Sequence, residues 1–313
     1  MKNKIFVQIA AYRDLQLIPT INDLLNKADN DDQFTFGVCW QYDETENINY
    51  FDGNKRFRIK KFHHKDSQGL GWARSQTNNL YDGEELTLQL DCHHRFKQGW
   101  DTLMIEDYHN ALKLSEKPIL TTYLAGFQPE QSEFEPVPRL MSQYKFNEEH
   151  LLFSRSTPII DYKTRHEIIP TRMLCGHFYL VNGLFINEVP YDPDIYFGTG
   201  TEEATMSVRA FTNGYDFYSP YRQYIWHQYN KLPIPKHFID YQPVTKDIFS
   251  KNKTRQLFGQ YNYSIDLERY GLGNKRSLND YQKFCGIDFK NRHIDQYTLD
   301  NNPPPNPNFS IAK

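Results

Sequence analysis

Over the first 130 residues, short apolar runs rich in β-formers alternate with stretches whose apolar positions recur every three to four residues. IFVQIAAY (5 to 12) predicts a strand, and Leu17, Ile18, Ile21, Leu24, Leu25 and Ala28 predict the helix after it, with Pro19 in the first turn where a missing N–H costs little. FTFGVCWQYD (34 to 43) and FRIKKFH (57 to 63) read as strands, and GLGWARSQTNNLY (69 to 81) as a helix with a glycine-rich entry. ELTLQLD (85 to 91) is a strand with a polar end; Trp100, Leu103, Met104, Tyr108, Ala111 and Leu112 mark another helix, and ILTTYLAGF (119 to 127) another strand. Such alternation predicts an α/β fold with a mainly parallel central sheet.

The pattern then changes. Residues 128 to 172 carry more Pro, Glu and Arg and no clear period, so they read as long connections with short strands across one face of the sheet, the usual place of lids and binding loops. Pattern returns in CGHFYLVNGLFINEVPYDPDIYF (175 to 197) and in TEEATMSVRAFTNG (201 to 214), a helix that Thr201 is expected to cap, the acidic pair to favour and Gly214 to stop. After Pro243 the chain reads as helical and peripheral, ending in the extended NNPPPNPNF. The expected organisation is a catalytic domain over 1–243 (nucleotide-binding half about 1–127, acceptor or lid half about 128–243), a helical C-terminal extension over 244–300 and a tail over 301–313.

Composition narrows the function classes. An aromatic share of 15% supplies core area despite a hydrophobic share of only 39%. A net charge of -3 gives no bulk attraction to phosphate backbones, so nucleic acid is not an expected partner. Cys39, Cys92, Cys175 and Cys285 are far apart without a CxxC pair, which fits a reducing compartment. No apolar run has the length of a signal core or a membrane span, and a soluble cytoplasmic protein is expected.

The chemistry concentrates in LQLDCHHRF. Asp91 and His93 sit two apart at a strand end and so share a side, offering a hard oxygen and a borderline nitrogen, a pair suited to Mn²⁺ and similar ions. A solvated polar turn is the competing explanation of Asp91-Cys92-His93. As a third ligand, His227 in YIWHQY is favoured over His94, whose side chain should face away from that of His93. His63 and His64 read as surface.

In order, ELTLQLDCHHRF, GWD, CGHFYLVNGLFINEVPYDP, YFGTGTEEATMSVRAFTNGYDFYSP and YGLGNKRSLNDYQKFCGIDF resemble a polypeptide N-acetylglucosaminyltransferase family that modifies hydroxyproline on a ubiquitin-ligase adaptor in some protists. The likeness runs over about residues 5 to 289. More distantly, Asp-x-His, Cys-Gly-His, Gly-x-Glu-Glu and a distal His are similar to the mucin-type polypeptide N-acetylgalactosaminyltransferases. The resemblance implies a GT-A fold, a UDP-sugar donor, a divalent metal (Mn²⁺ first, Mg²⁺ second) and retention of anomeric configuration. It implies Asp91, His93 and His227 as the metal set, and Glu202 or Glu203, after Gly200 and Thr201, as a carboxylate for sugar or acceptor hydroxyls. It places His177 towards donor sugar and acceptor, Ala10 to Asp14 (Ala11, Tyr12 and Arg13 among them) and Gln41 around the uridine, Arg13 also as a candidate for phosphate, and Arg74 on the diphosphate. A surface ion pair competes for Arg13, and an exposed helix position for Arg74.

The expected function is transfer of N-acetylglucosamine or a close hexosamine from its UDP form to a hydroxyl, on a polypeptide or a glycan. Two alternatives remain at this stage: an inverting GT-A enzyme with Glu202 or Glu203 as base, and a nucleotide-sugar-binding module without turnover.

Overall fold

The computed structural model describes residues 4–130, 134–149, 151–196, 201–229, 237–241, 244–307 and 309. Strands β1 (Ile5–Tyr12), β2 (Phe34–Tyr42) and β3 (Phe57–His63) run parallel, and helix α1 (Leu17–Lys27) carries the chain from β1 to β2. Helix α2 (Leu70–Asn78) returns it to β4 (Leu86–Leu90), parallel to β1 on the side away from β2. The strand order therefore reverses at β1, and the crevice beyond the carboxyl ends of β1 and β4 is a topological switch point, where open α/β sheets bind ligands.

Beyond β4 come β5 (His94–Phe96), helix α3 (Trp100–Leu112), β6 (Pro118–Thr121) and β7 (Ala125–Gly126). The single strand expected over 119–127 is thus two: β6 stays in the main sheet, while β7 joins β5 and β13 (Ile225–His227) in a three-stranded sheet. The break lies at Thr122–Leu124, where the Leu124 N–H leaves the ladder and donates to His177 Nε2 at 3.2 Å. Within 128–172 the short strands are a long antiparallel hairpin, β8 (Arg139–Phe146) with β9 (Leu152–Pro158), followed by β10 (Ile169–Pro170).

The second half adds β11 (Phe178–Asn182), α4 (Phe185–Glu188), α5 (Glu202–Thr212) and β12 (Asp216–Ser219). The main sheet reads β10-β12-β6-β11-β4-β1-β2-β3, with β11 antiparallel to both β4 and β6. Thr201 stands at the N-cap of α5 without a side-chain capping bond, because its backbone is already in the helical region (φ -116°, ψ -55°). Gly200, expected before it, lies outside the described residues.

After α6 (His237–Asp240) come α7 (Val244–Leu257), α8 (Leu278–Cys285), a small hairpin of β14 (Ile287–Asp288) with β15 (His293–Ile294), and α9 (Gln296–Leu299). These elements are helical as expected but not merely peripheral. Leu257, Tyr281, Phe284, Ile287 and Ile294 join Tyr179, Val208 and Phe211 in a second core, distinct from the first core built on β1, β2, β4 and α1. Arg172 donates to the carbonyls of Cys285 and Asn302 and to Asn306 Oδ1, so the residues after α9 are tied to the domain. Among the described residues no helix is long and apolar enough to cross a membrane.

Candidate active site

The switch point brings three ligand-type atoms together. His93 Nε2 and His227 Nε2 lie 3.0 Å apart, and Asp91 Oδ2 lies 3.2 Å from His227 Nε2 and 3.6 Å from His93 Nε2. Asp91 and His93 follow β4, as their spacing predicts. His227 arrives because β13 pairs antiparallel with β5, placing it opposite His94. Donors about 2.1 Å from one divalent ion, at right angles, stand roughly 3 Å apart, so the triangle fits a shared cation without rearrangement.

Neighbouring groups fix this geometry. His93 Nδ1–H donates to Asp14 Oδ2 at 2.9 Å, which leaves its Nε2 lone pair facing the triangle. Asp14 reaches it because Arg13 turns the chain at φ 46°, a left-handed backbone held by a bond from its N–H to the Gln41 carbonyl at 2.9 Å. His94 faces the other way, as its position predicts, and works from behind: Nδ1–H donates to the Trp226 carbonyl, and Nε2 accepts the Asp91 N–H at 3.2 Å. Burial holds His227 well below the usual histidine range, the charges of the neighbouring histidines adding to it against the pull of Asp91, so its ring is neutral. For Asp91 burial acts upwards, but the bonds to His227 and His93 and the charge of Arg74 keep it ionised. Imidazole nitrogens beside a carboxylate make a donor set for a divalent cation.

Arg74 is the hub of the second layer. It is 3% exposed, not an exposed helix residue. Nη2 donates to Asp91 Oδ1 at 3.0 Å, Nη1 donates to the Gly176 carbonyl and to the Tyr191 hydroxyl at 3.0 Å, and Nε lies 3.1 Å from Glu202 Oε1. Burial works against the guanidinium charge, but Glu202, Tyr191 and Asp91 more than offset it.

Through Asp91 the triangle borders a cleft of about 530 Å³ whose walls include Ala10, Tyr12, Gln41, Arg74, Asp91, His177, Glu202 and Glu203. Glu202 is buried against Arg74, whereas Glu203 is half-buried at the wall, its Oε1 receiving the Gly176 N–H at 2.9 Å and the Cys175 thiol at 3.3 Å. Burial pushes the Glu203 carboxyl up to about 7. His177 has both ring nitrogens engaged, Nε2 by the Leu124 N–H and Nδ1 by Cys175 Sγ, and it stacks on His227 with centroids 4.4 Å apart.

Of the residues expected around the uridine, Ala11, Arg13 and Asp14 lie elsewhere, Asp14 behind His93. Ala11 is fully buried and packs in the first core, because it alternates with Ala10 and Tyr12, which face the cleft. Arg13 pairs with Asp43 at 3.0 Å and Asp240 at 2.9 Å, the surface alternative. Gln41 does line the cleft, its amide N–H donating to the Ala11 carbonyl. His63 pairs with Glu44 away from the site. The sequence does not single out Tyr191, nor Asp14 as the partner of His93; neither has a periodic or motif signal, and each acts through a contact between distant segments.

A sheet whose strand order reverses at a crevice, with an Asp-His-His triangle at that crevice, defines an α/β protein with a candidate metal and ligand site. The family profile described as Glycosyltransferase (GlcNAc) matches residues 4–53 and 49–291, and the chain belongs to that family of glycosyltransferases. Among solved structures it is similar to Staphylococcus aureus TarS 1-349 in complex with UDP-GlcNAc (14% identity, TM-score 0.52, covering 93% of this chain and 72% of that one). It is also similar to GalNAc-T7 with UDP, GalNAc and Mn²⁺ (12% identity, TM-score 0.58, covering 95% of this chain and 57% of that one). These likenesses show the GT-A fold. A search of curated proteins finds none that matches.

Proposed function

We propose that this glycosyltransferase moves N-acetylglucosamine, or a close hexosamine, from its UDP form to a hydroxyl of a polypeptide, with retention and with a divalent ion, Mn²⁺ before Mg²⁺, on Asp91, His93 and His227. The observation that carries the reading is the 3.0 to 3.6 Å triangle with Asp14 behind His93, set at the switch point. The ligands of the similar structures, UDP-GlcNAc with TarS and UDP, GalNAc and Mn²⁺ with GalNAc-T7, support the donor class and the metal. Four buried cysteines, none of them in a disulfide, suit a reducing, cytoplasmic setting.

When bound, the ion would supply Lewis-acid stabilisation of the charge developing on the departing diphosphate. Tyr12 and Gln41 form the base side of the cleft. Arg74 holds Asp91 and Glu202 in place as a positioning residue, and its place in the cleft wall keeps positive charge near the diphosphate. Glu203, with one oxygen already fixed by Gly176, accepts a hydrogen bond from a sugar or acceptor hydroxyl. His177 sets the wall between them. Under retention the acceptor oxygen bonds to the anomeric carbon on the face from which UDP departs, and its proton passes to the leaving phosphate oxygen.

A second reading has its own support: a carboxyl titrating near 7 at the cleft wall is tuned for general-base work, and Glu203 in that role would invert configuration. The test is UDP release over a panel of UDP-sugars with Mn²⁺ or Mg²⁺ and water as acceptor, followed by anomeric analysis of the transfer product. Release with UDP-GlcNAc, lost in Asp91→Ala and His227→Ala, is expected. Full activity of both variants removes the metal assignment, and a β-linked product selects inversion.

A further inference from the structure

A second cavity, of about 210 Å³, lies between the β8–β9 hairpin and the segment after α9. Gln143 lines it at 1% exposure with Nε2 lacking any hydrogen-bond partner, and Asn301, which also lines it, has a buried Oδ1 likewise without one. A buried amide left unmade is costly, and here two of them face one space. Together they present a donor and an acceptor, the complement of a peptide unit's C=O and N–H.

Met141, Ile159, Ile169 and Pro304 give the walls an apolar part, with Ile160 standing 88% exposed beside them, and the hydroxyls of Ser142 and Thr157 there are already bonded to each other. Among the described residues no aromatic ring lines the cavity, and those residues offer no stacking platform of the kind sugar rings favour. The charged groups there are already matched, Arg165 with Asp161 and Arg172 with Cys285, Asn302 and Asn306.

Its position links it to the chemistry. Gln143 stands opposite Ser154 in the hairpin register, and Ser154 lines the catalytic cleft, so the two cavities adjoin across one cross-strand pair. We propose that this cavity is a docking pocket for a polypeptide segment of the acceptor, taken up by amide pairing to Gln143 and Asn301 and by an aliphatic side chain against Met141 and Ile159. The inference rests on the polypeptide-acceptor reading above.

Two measurements on the full chain test it. With methyl-labelled Met and Ile, titration of N-acetyl-leucine N-methylamide is expected to move the Met141 and Ile159 resonances saturably, and Gln143→Met to abolish the effect while other methyls keep their positions. Absence of shifts, equal shifts with N-acetylglucosamine, or an unchanged response in Gln143→Met would overturn the pocket. In the second, hydroxyl-bearing peptides of 4 to 12 residues are assayed, and Gln143→Met is expected to raise KM at least fivefold (on the order of one lost polar contact) for the longer ones, with kcat and UDP-sugar hydrolysis unchanged. Peptides glycosylated with equal KM by both proteins sink the pocket and leave the acceptor class standing. Glycosylation of glycans but of no peptide, with donor hydrolysis intact, sinks the acceptor class and the pocket with it.

Discussion

His93 owes its orientation to a buried residue that does not line the cleft. Asp14 fixes the protonated nitrogen through a 2.9 Å bond and thereby keeps the other nitrogen available. Asp14→Asn keeps an oxygen for the Gln16 N–H but removes the charge that anchors the ring, and it is expected to weaken Mn²⁺ binding about 10- to 100-fold by titration calorimetry. An unchanged Kd would show that the ring needs no such anchor. Glu203 offers a pH signature. Burial pushes its carboxyl up to about 7 from the ordinary 4.5, so between these values the unfolded chain has released a proton that the folded protein keeps. Stability therefore falls as pH rises through that window and levels off above it, by up to about 3 kcal/mol. Glu203→Gln should match wild type near pH 4 and exceed it at pH 8 in urea unfolding; an equal difference at both pH values would mean the carboxyl is not displaced. At this scale, the residues legible in the sequence were those marked by spacing or order, Asp91 with His93 and then His227. Strand alternation could also have sent Ala11 to the core. The partners of Arg74 were not legible, since they come from β4, from the β11 entry, from the loop after α4 and from α5.

Helix α2 shows how element packing sets the site. Its first N–H groups donate to carbonyls of the facing loop, Leu70 to Tyr196 and Gly71 to Ile195 at 2.9 Å, in place of a side-chain cap. A side-chain carbon at Gly71 would lie 2.3 Å from the Asp192 carbonyl and 2.6 Å from that of Ile195, backbone atoms that cannot yield locally. Gly71→Ala is expected to push α2 off this loop at a cost of about 1–3 kcal/mol, lowering Tm and, because Arg74 lies one turn on, lowering UDP release as well. A wild-type Tm would contradict the close approach. The strands and helices of this half were legible because each buries one periodic face: Leu17, Ile21 and Leu24 of α1, and the continuous apolar run of β1. The break after β6 was not, because ILTTYLAGF reads as one strand until His177 draws off the Leu124 N–H. The β8–β9 hairpin was also hidden, since its faces mix charged, hydroxyl and aliphatic residues without alternation.

Across the whole molecule, Arg74 joins the two cores. It sits on α2 in the half that carries β1 to β4, yet it binds the Gly176 carbonyl, Tyr191 and Glu202 of the other half as well as Asp91. With 4% exposure of its side chain and 6% for Glu202, the pair is shielded from water, and removing one charge strands the other. Arg74→Met is therefore expected to cost about 3–5 kcal/mol in urea unfolding, far more than an exposed pair would. In Arg74→Met with Glu202→Gln the stranded carboxylate is gone, and at least about 1 kcal/mol should return, a coupling that a double-mutant cycle reads directly. Activity should not return with it, because Asp91 Oδ1 still lacks its guanidinium partner and the carboxylate facing His227 is no longer held. Strict additivity of the two substitutions would mean that Arg74 acts on each half separately, and that the catalytic crevice is held by its walls instead of by the ion pair between them.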